Sequence, residues 1–138
     1  MVDSNDPIEW LKRAKSNLIL GKNTKIEESA LWAQVYYEDL CFDLQQAVEK
    51  SLKALLILNN IDVPLSHSIN LIIDILKSNL INIPEEIYDA VALTPFAVRA
   101  KYPGDWTRVS YQEYLELSEI AEKVYIWVEI LINKTTKE

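Results

Sequence analysis

Glycine is nearly missing from this sequence, and cysteine is rarer still. Two glycines and five prolines among 138 residues cannot supply the tight turns that a β-sandwich or barrel requires. Cys41 is the single cysteine and His67 the single histidine. An intrachain disulfide is therefore excluded, and the chain offers no cluster of thiolate and imidazole ligands for zinc, so no metal and no cofactor is expected. No apolar run approaches the ~20 residues needed to cross a bilayer. The opening MVDSNDPIEW has neither the basic nor the apolar region of a secretory leader. The expectation is a cytoplasmic protein without a membrane association. No internal repeat or low-complexity segment interrupts the chain.

Apolar side chains are plentiful: 49% of the residues are hydrophobic, ample for one continuous core, and the length suits one domain spanning 1–138 with frayed tails at 1–5 and 134–138. Charge is lopsided. Fourteen basic against 21 acidic residues give a formal net charge of −7, which disfavours broad duplex binding and requires any polyanion to be held by a local basic cluster.

The pattern predicts an all-α fold. A first helix opens at Asp6, with Pro7 at its first position and Glu9 placed as a capping-box carboxylate. It ends near Gly21, burying Ile8, Leu11, Ala14 and Leu18 and turning Lys12, Arg13 and Lys15 outward. From Ser29 to about Asn59 nothing breaks the chain, and Tyr37, Cys41, Leu44, Val48, Ser51, Leu55 and Leu58 recur at alternating steps of four and three. This predicts one long central helix. Its opposite arc carries Gln45, Gln46, Glu49, Lys50 and Lys53, with Asp43 at the margin, and the default reading of such an arc is a solvated face.

A third helix is predicted from Ser66, burying Ile69, Ile72, Ile73 and Leu76. A shorter fourth starts at Pro84, with Ile87, Tyr88 and Val91 inward, and is stopped or bent at Thr94 and Pro95. The stretch Pro95 to Val109, PFAVRAKYPGDWTRV, is irregular and gathers cationic and aromatic side chains. Ser110 and Glu113 form an S-x-x-E capping box for the last helix, whose seam is Tyr114, Leu117, Ala121, Val124, Val128 and Leu131. It runs out in a polar tail from Asn133.

The run YEDLCFDLQQAVEKSLKALLI, Tyr37 to Ile57, resembles the second helix of the HEPN family (higher eukaryotes and prokaryotes nucleotide-binding domains), in which Q-Q-A-x-E-K-x-L-K-A-L-L is a frequent signature. The likeness continues in order through SHSINLI from Ser66, IPEEI from Ile83, LTPFAVRAKYPGDW from Leu93 and EIAEKVYIWVEILI near the C-terminus. The resemblance implies an up-and-down bundle of about five helices, commonly a homodimer, often encoded beside a minimal nucleotidyltransferase in a toxin–antitoxin-like pair. Some members are RNases acting through an R-x4-6-H motif. Here Arg99 is followed by AKYPGDWTRVS and the histidine is absent. Relatives of the central signature often carry histidine after C-F, where this chain has Asp43. Both departures count against catalysis, and the resemblance leaves three readings open: a module binding a nucleotide or single-stranded RNA, a pure interaction partner without a ligand, and a divergent metal-independent RNase.

For the ligand reading, Arg99, Lys101 and Tyr102 join two cations to a stacking ring, chemistry suited to phosphate and base. Arg108 lies a short way on. The resemblance directs Gln46, Glu49, Lys50 and Lys53 towards the same cleft. Glu49 to Lys53 and Gln46 to Lys50 are equally ordinary helical i to i+4 pairs. Asp43, His67 and Trp106 are supporting candidates. His67 has no second member of a catalytic set at a telling spacing, and a structural imidazole bonded to backbone or carboxylate is the plainer expectation. Tyr102 and Trp106 flank the turn signal PGD and are expected to be exposed.

Overall fold

The structure is a computed structural model that describes residues 5–23, 30–31, 34–98 and 108–136. In chain order it contains α1 (Pro7–Gly21), α2 (Tyr37–Leu58), α3 (Ile69–Ser78), a 3-10 helix (Glu85–Phe96) and α4 (Tyr111–Thr136). Among the described residues there is no strand, so the all-α expectation holds.

Local chemistry explains where the helices begin. The Asp6 carboxylate accepts the Ile8 backbone N–H at 2.9 Å, and Pro7, with no N–H to satisfy, occupies the first helical position. Glu9 does not reach back as a capping-box partner; its carboxylate lies 3.7 Å from Arg13 Nε. The predicted box at α4 forms in full. Ser110 Oγ accepts from Glu113 N at 3.1 Å, and Glu113 Oε1 accepts from Ser110 N at 3.3 Å.

Two helix starts differ from the prediction. The central helix begins at Tyr37 rather than Ser29: Gln34 is in a 3-10 turn, Val35 bends and Tyr36 is extended at the N-cap, while 24–29 and 32–33 lie outside the described residues. The third begins at Ile69 rather than Ser66, because Ser68 takes the N-cap and accepts from Leu71 N at 3.2 Å. Ser66 Oγ instead accepts from Ser68 N at 3.1 Å, a local turn that competes with the helix. At the other end the expected frayed tail is partly helical, since α4 runs on to Thr136.

The segment from Glu85 winds as a 3-10 helix that carries Pro95 inside it and ends at Phe96, one residue beyond the predicted stop. Helices α2 and α3 both close without glycine. Asn60 and Leu80 adopt φ of 59° and 64°, and Ile61 N and Ile81 N donate to Leu56 O and Leu76 O at 2.9 and 3.1 Å. This is the closure for which glycine is normally favoured.

Helix α2 is the axis of the molecule. Gly21 lies against Leu44, and Asn17 bonds Asp43, so the end of α1 meets the first half of α2 and the two run antiparallel. Tyr37, at the start of α2, stacks on Tyr114 near the start of α4, with ring centroids 5.1 Å apart. Tyr114 Oη donates to Gly21 O at 2.5 Å, and Lys22 pairs with Glu122, which ties the end of α1 to α4.

Leu11, Ala14, Leu18, Leu44, Val48, Leu52, Ile72, Ile73, Ile87, Val124 and Val128 share one core. Ile8, expected inside, is 42% exposed, and Trp10 is the side chain of the first turn that packs against the core. The approach of α1 to α2 is tight at Gly21, where a Cβ would stand 2.7 Å from Leu44 Cδ2 and 3.0 Å from the Leu44 backbone nitrogen.

A candidate ligand site on the polar side of the central helix

The polar arc of α2 is not a solvated face. Gln45, Glu49 and Lys53 retain 0%, 4% and 7% of their accessible surface, and Asp43 retains 9%. The helix is therefore enclosed on nearly all sides, and its polar side chains satisfy one another. Glu49 is the hub. Its carboxylate accepts from Lys53 Nζ at 2.8 Å and from Gln45 Nε2 at 3.1 Å, and it lies 2.9 Å from His67 Nδ1. Gln45 Nε2 also donates to the His67 carbonyl at 3.2 Å, and Gln46 Nε2 donates to Gln45 Oε1 at 2.8 Å.

Burial by itself would raise the Glu49 pKa, but the hydrogen bonds from Lys53, Gln45 and His67 outweigh it and hold the carboxyl below its ordinary value. The charge is thus kept in the interior by its donors. The arrangement also fixes His67. Its side chain is 65% exposed, yet Nδ1 is anchored on a buried carboxylate, which leaves Nε2 facing away from the partner that sets the tautomer.

A second chain of bonds links α2 to α1. Lys50 Nζ donates to Asn17 Oδ1 at 2.7 Å, and Asn17 Nδ2 donates to Asp43 Oδ1 at 3.1 Å. Asn17 therefore belongs to the site, although the sequence reading passed over it. The signal was present: it is a lone amide between Ala14, Leu18 and Gly21, all of which are buried. Arg13, expected as an outward cation, is exposed and lies against Glu9 on its own helix. Burial lowers the Lys50 pKa first, and the nearby Arg13 guanidinium lowers it further. The carboxylates of Glu49 and Asp43 act on Lys50 in the opposite sense.

The structure brings Gln46, Glu49, Lys50, Lys53, Asp43 and His67 into one region, but not in one role. Glu49 and Lys53 are committed to each other in the interior, so they shape and charge the region from beneath. Gln46 and Lys50 are partly accessible and His67 is exposed. Arg99, Lys101, Tyr102 and Trp106 lie outside the described residues; Arg108 is exposed. Cys41 is buried in the core, and burial, followed by the charges of Glu38 and Glu113, pushes its thiol up to about 12, which removes it as a thiolate nucleophile. No group of three or more metal-ligating side chains occurs among the described residues. No described helix is long and apolar enough to cross a membrane.

An antiparallel pair of helices wrapped by a third, with a carboxylate hub buried inside the central one, defines the class: a helical bundle whose axis is polar on one side and enclosed. The chain belongs to the HEPN domain family, whose model matches residues 8–131. Its fold is similar to the crystal structure of ST0689, an archaeal HEPN homologue, with a TM-score of 0.65 and 25% identity over 92% of this chain and 98% of that one. No curated protein matches the sequence.

Proposed function

We propose that this is a single-domain HEPN protein that binds a nucleotide or single-stranded RNA where α1, α2 and the start of α3 meet. In this reading it acts in the cytoplasm as a homodimer beside a minimal nucleotidyltransferase, in a toxin–antitoxin-like pair. The observation that carries the reading is the buried Glu49 hub with exposed His67 at its edge. Burying a charge is costly unless every donor is in place, and a helix needed only for packing would be served as well by apolar residues. Lys50, partly accessible beside Asn17, supplies the local positive charge that an acidic protein requires for an anionic ligand. Arg99, Lys101 and Tyr102 complete the site in this proposal as the phosphate and base contacts, with Trp106 and Arg108 at its border.

The test is a calorimetric titration with AMP and a short single-stranded RNA on the parent, Arg99→Ala and Lys50→Ala, with Lys123→Ala on the exposed face of α4 as control. Each site variant is expected to weaken binding about tenfold, the scale of one charge-assisted contact of 1.5–3 kcal/mol or slightly less, with the control unchanged. Equal binding by all four proteins would place the ligand elsewhere.

A second reading, an interaction partner with no ligand of its own, is favoured by one surface feature. Ile19 and Leu20 on α1 are 65% and 54% exposed, beside Lys12 and Lys15 along a shallow depression. In that case the protein would respond to the transferase and to neither ligand.

A further inference from the structure

A cleft of about 430 Å3 opens at the opposite end of the α1–α2 pair, lined by Asn5, Trp10, Ile57, Asn60, Ile61, Asp62 and Val63. It lies about two turns of α2 beyond Glu49, and nothing in the nucleotide or RNA reading uses it. Its volume is within the range of small-ligand sites. Its walls are apolar at Ile57, Ile61 and Val63, with an indole on one side and a carboxylate at Asp62.

The electrostatics have one sign. The cleft lies at the C-terminal end of α2, a 22-residue helix with no basic residue in its last turn, so its negative end is not offset by any cation of its own. The helix closes through Ile61 N to Leu56 O at 2.9 Å with Asn60 left-handed at φ 59°, which sets Asn60 and Asp62 in a fixed turn beside it. Among the described residues no lysine or arginine lines the cleft. A phosphate would find no cationic partner among these residues and would meet the Asp62 carboxylate and a helix end of like sign, with the neutral Asn5 and Asn60 amides as donors. A positively charged group would meet an aromatic ring and a carboxylate together at the negative end of a helix, the combination that favours ammonium and guanidinium ions.

We propose that the Trp10–Asp62 cleft binds an organic cation, an alkylammonium or guanidinium group carried on a short apolar chain. The charged head lies between the Trp10 ring and the Asp62 carboxylate, and the methylene stem lies along Ile57, Ile61 and Val63. The same chemistry is presented by a free amine and by an arginine side chain of another protein.

The experiment is an NMR titration of the full chain, following the Trp10 indole N–H and the amides of Asn60 to Val63. The probes are agmatine as the free cation, acetyl-arginine-amide as the side-chain form, and AMP as the anion. Agmatine is expected to shift these signals saturably, with a Kd on the order of 1 mM for so small a ligand. Asp62→Asn, a change at an exposed position, should weaken it about threefold to fivefold. Trp10→Phe, which keeps a ring in the packing, should weaken it about twofold to fivefold. Response to acetyl-arginine-amide but not to agmatine would identify a protein side chain as the source of the cation. Absence of a response to both cations, a response to AMP at these signals, or full retention of cation binding in Asp62→Asn would overturn the proposal.

Discussion

Replacing Glu49 with alanine is expected to destabilise the protein by about 3–5 kcal/mol, because it leaves the Lys53 ammonium buried without its counter-ion. Lys53 retains only 7% of its surface and has Glu49 Oε2 at 2.8 Å, and Gln45, fully buried, would lose an acceptor as well. The double change Glu49→Leu with Lys53→Met removes both charges and should recover most of the loss. His67→Ala, at an exposed ring, should change stability far less. Urea unfolding of the four proteins measures all of this. If Glu49→Ala unfolds at the parent's midpoint, the hub is not buried as described.

The same carboxylate makes a pH prediction. Its folded pKa is depressed, so the stability it contributes is fully present above the ordinary value of 4.5 and is lost as pH falls through the lower folded value. Below about pH 4.5 the parent should therefore lose stability more steeply than Glu49→Gln, which has no charge there to lose.

The contact between Gly21 and Leu44 gives the second large effect. Leu44 is fully buried, and Leu44→Ala is expected to cost about 2–5 kcal/mol through lost burial and the cavity left behind. Gly21→Ala drives a methyl into Leu44 Cδ2 and towards its backbone nitrogen and should cost about 1–3 kcal/mol. The two together should cost less than the sum, because truncating Leu44 removes the atoms that the new methyl strikes. A double-mutant cycle reads that coupling directly. Strict additivity would mean that α1 and α2 do not meet at this point.

The fold was legible because its signals were local. Pro7 after Asp6, Ser110 with Glu113, and the stepped apolar series of α2 each report on neighbours within a turn or two, and each appears in the structure. The starts of α2 and α3 were less legible: Tyr36 at the head of α2 offers no side-chain cap, and Ser66 and Ser68 compete for the capping role at α3, where geometry alone decides between them. The polar arc was misread for a different reason. Periodicity assigns polar residues to the outside, whereas Gln45, Glu49 and Lys53 are covered by tertiary packing that no spacing encodes. That Asn17 meets both Asp43 and Lys50 depends on the antiparallel register of α1 against α2. A sequence shows an amide among apolar residues there but not what it touches.

The central claim, that the polar side of α2 serves a nucleotide or RNA, is tested most directly by the melting temperature of the whole chain with and without AMP or a short single-stranded RNA. A ligand that binds only the folded state adds about 2.7 kcal/mol at a hundred times its Kd, on the order of 5–10 °C for a chain of this size. The account predicts a saturable rise with at least one of the two ligands, reduced in Lys50→Ala. A melting temperature that stays flat with both ligands up to millimolar concentration, yet rises when a nucleotidyltransferase is added, would contradict it and leave the protein a partner without a ligand.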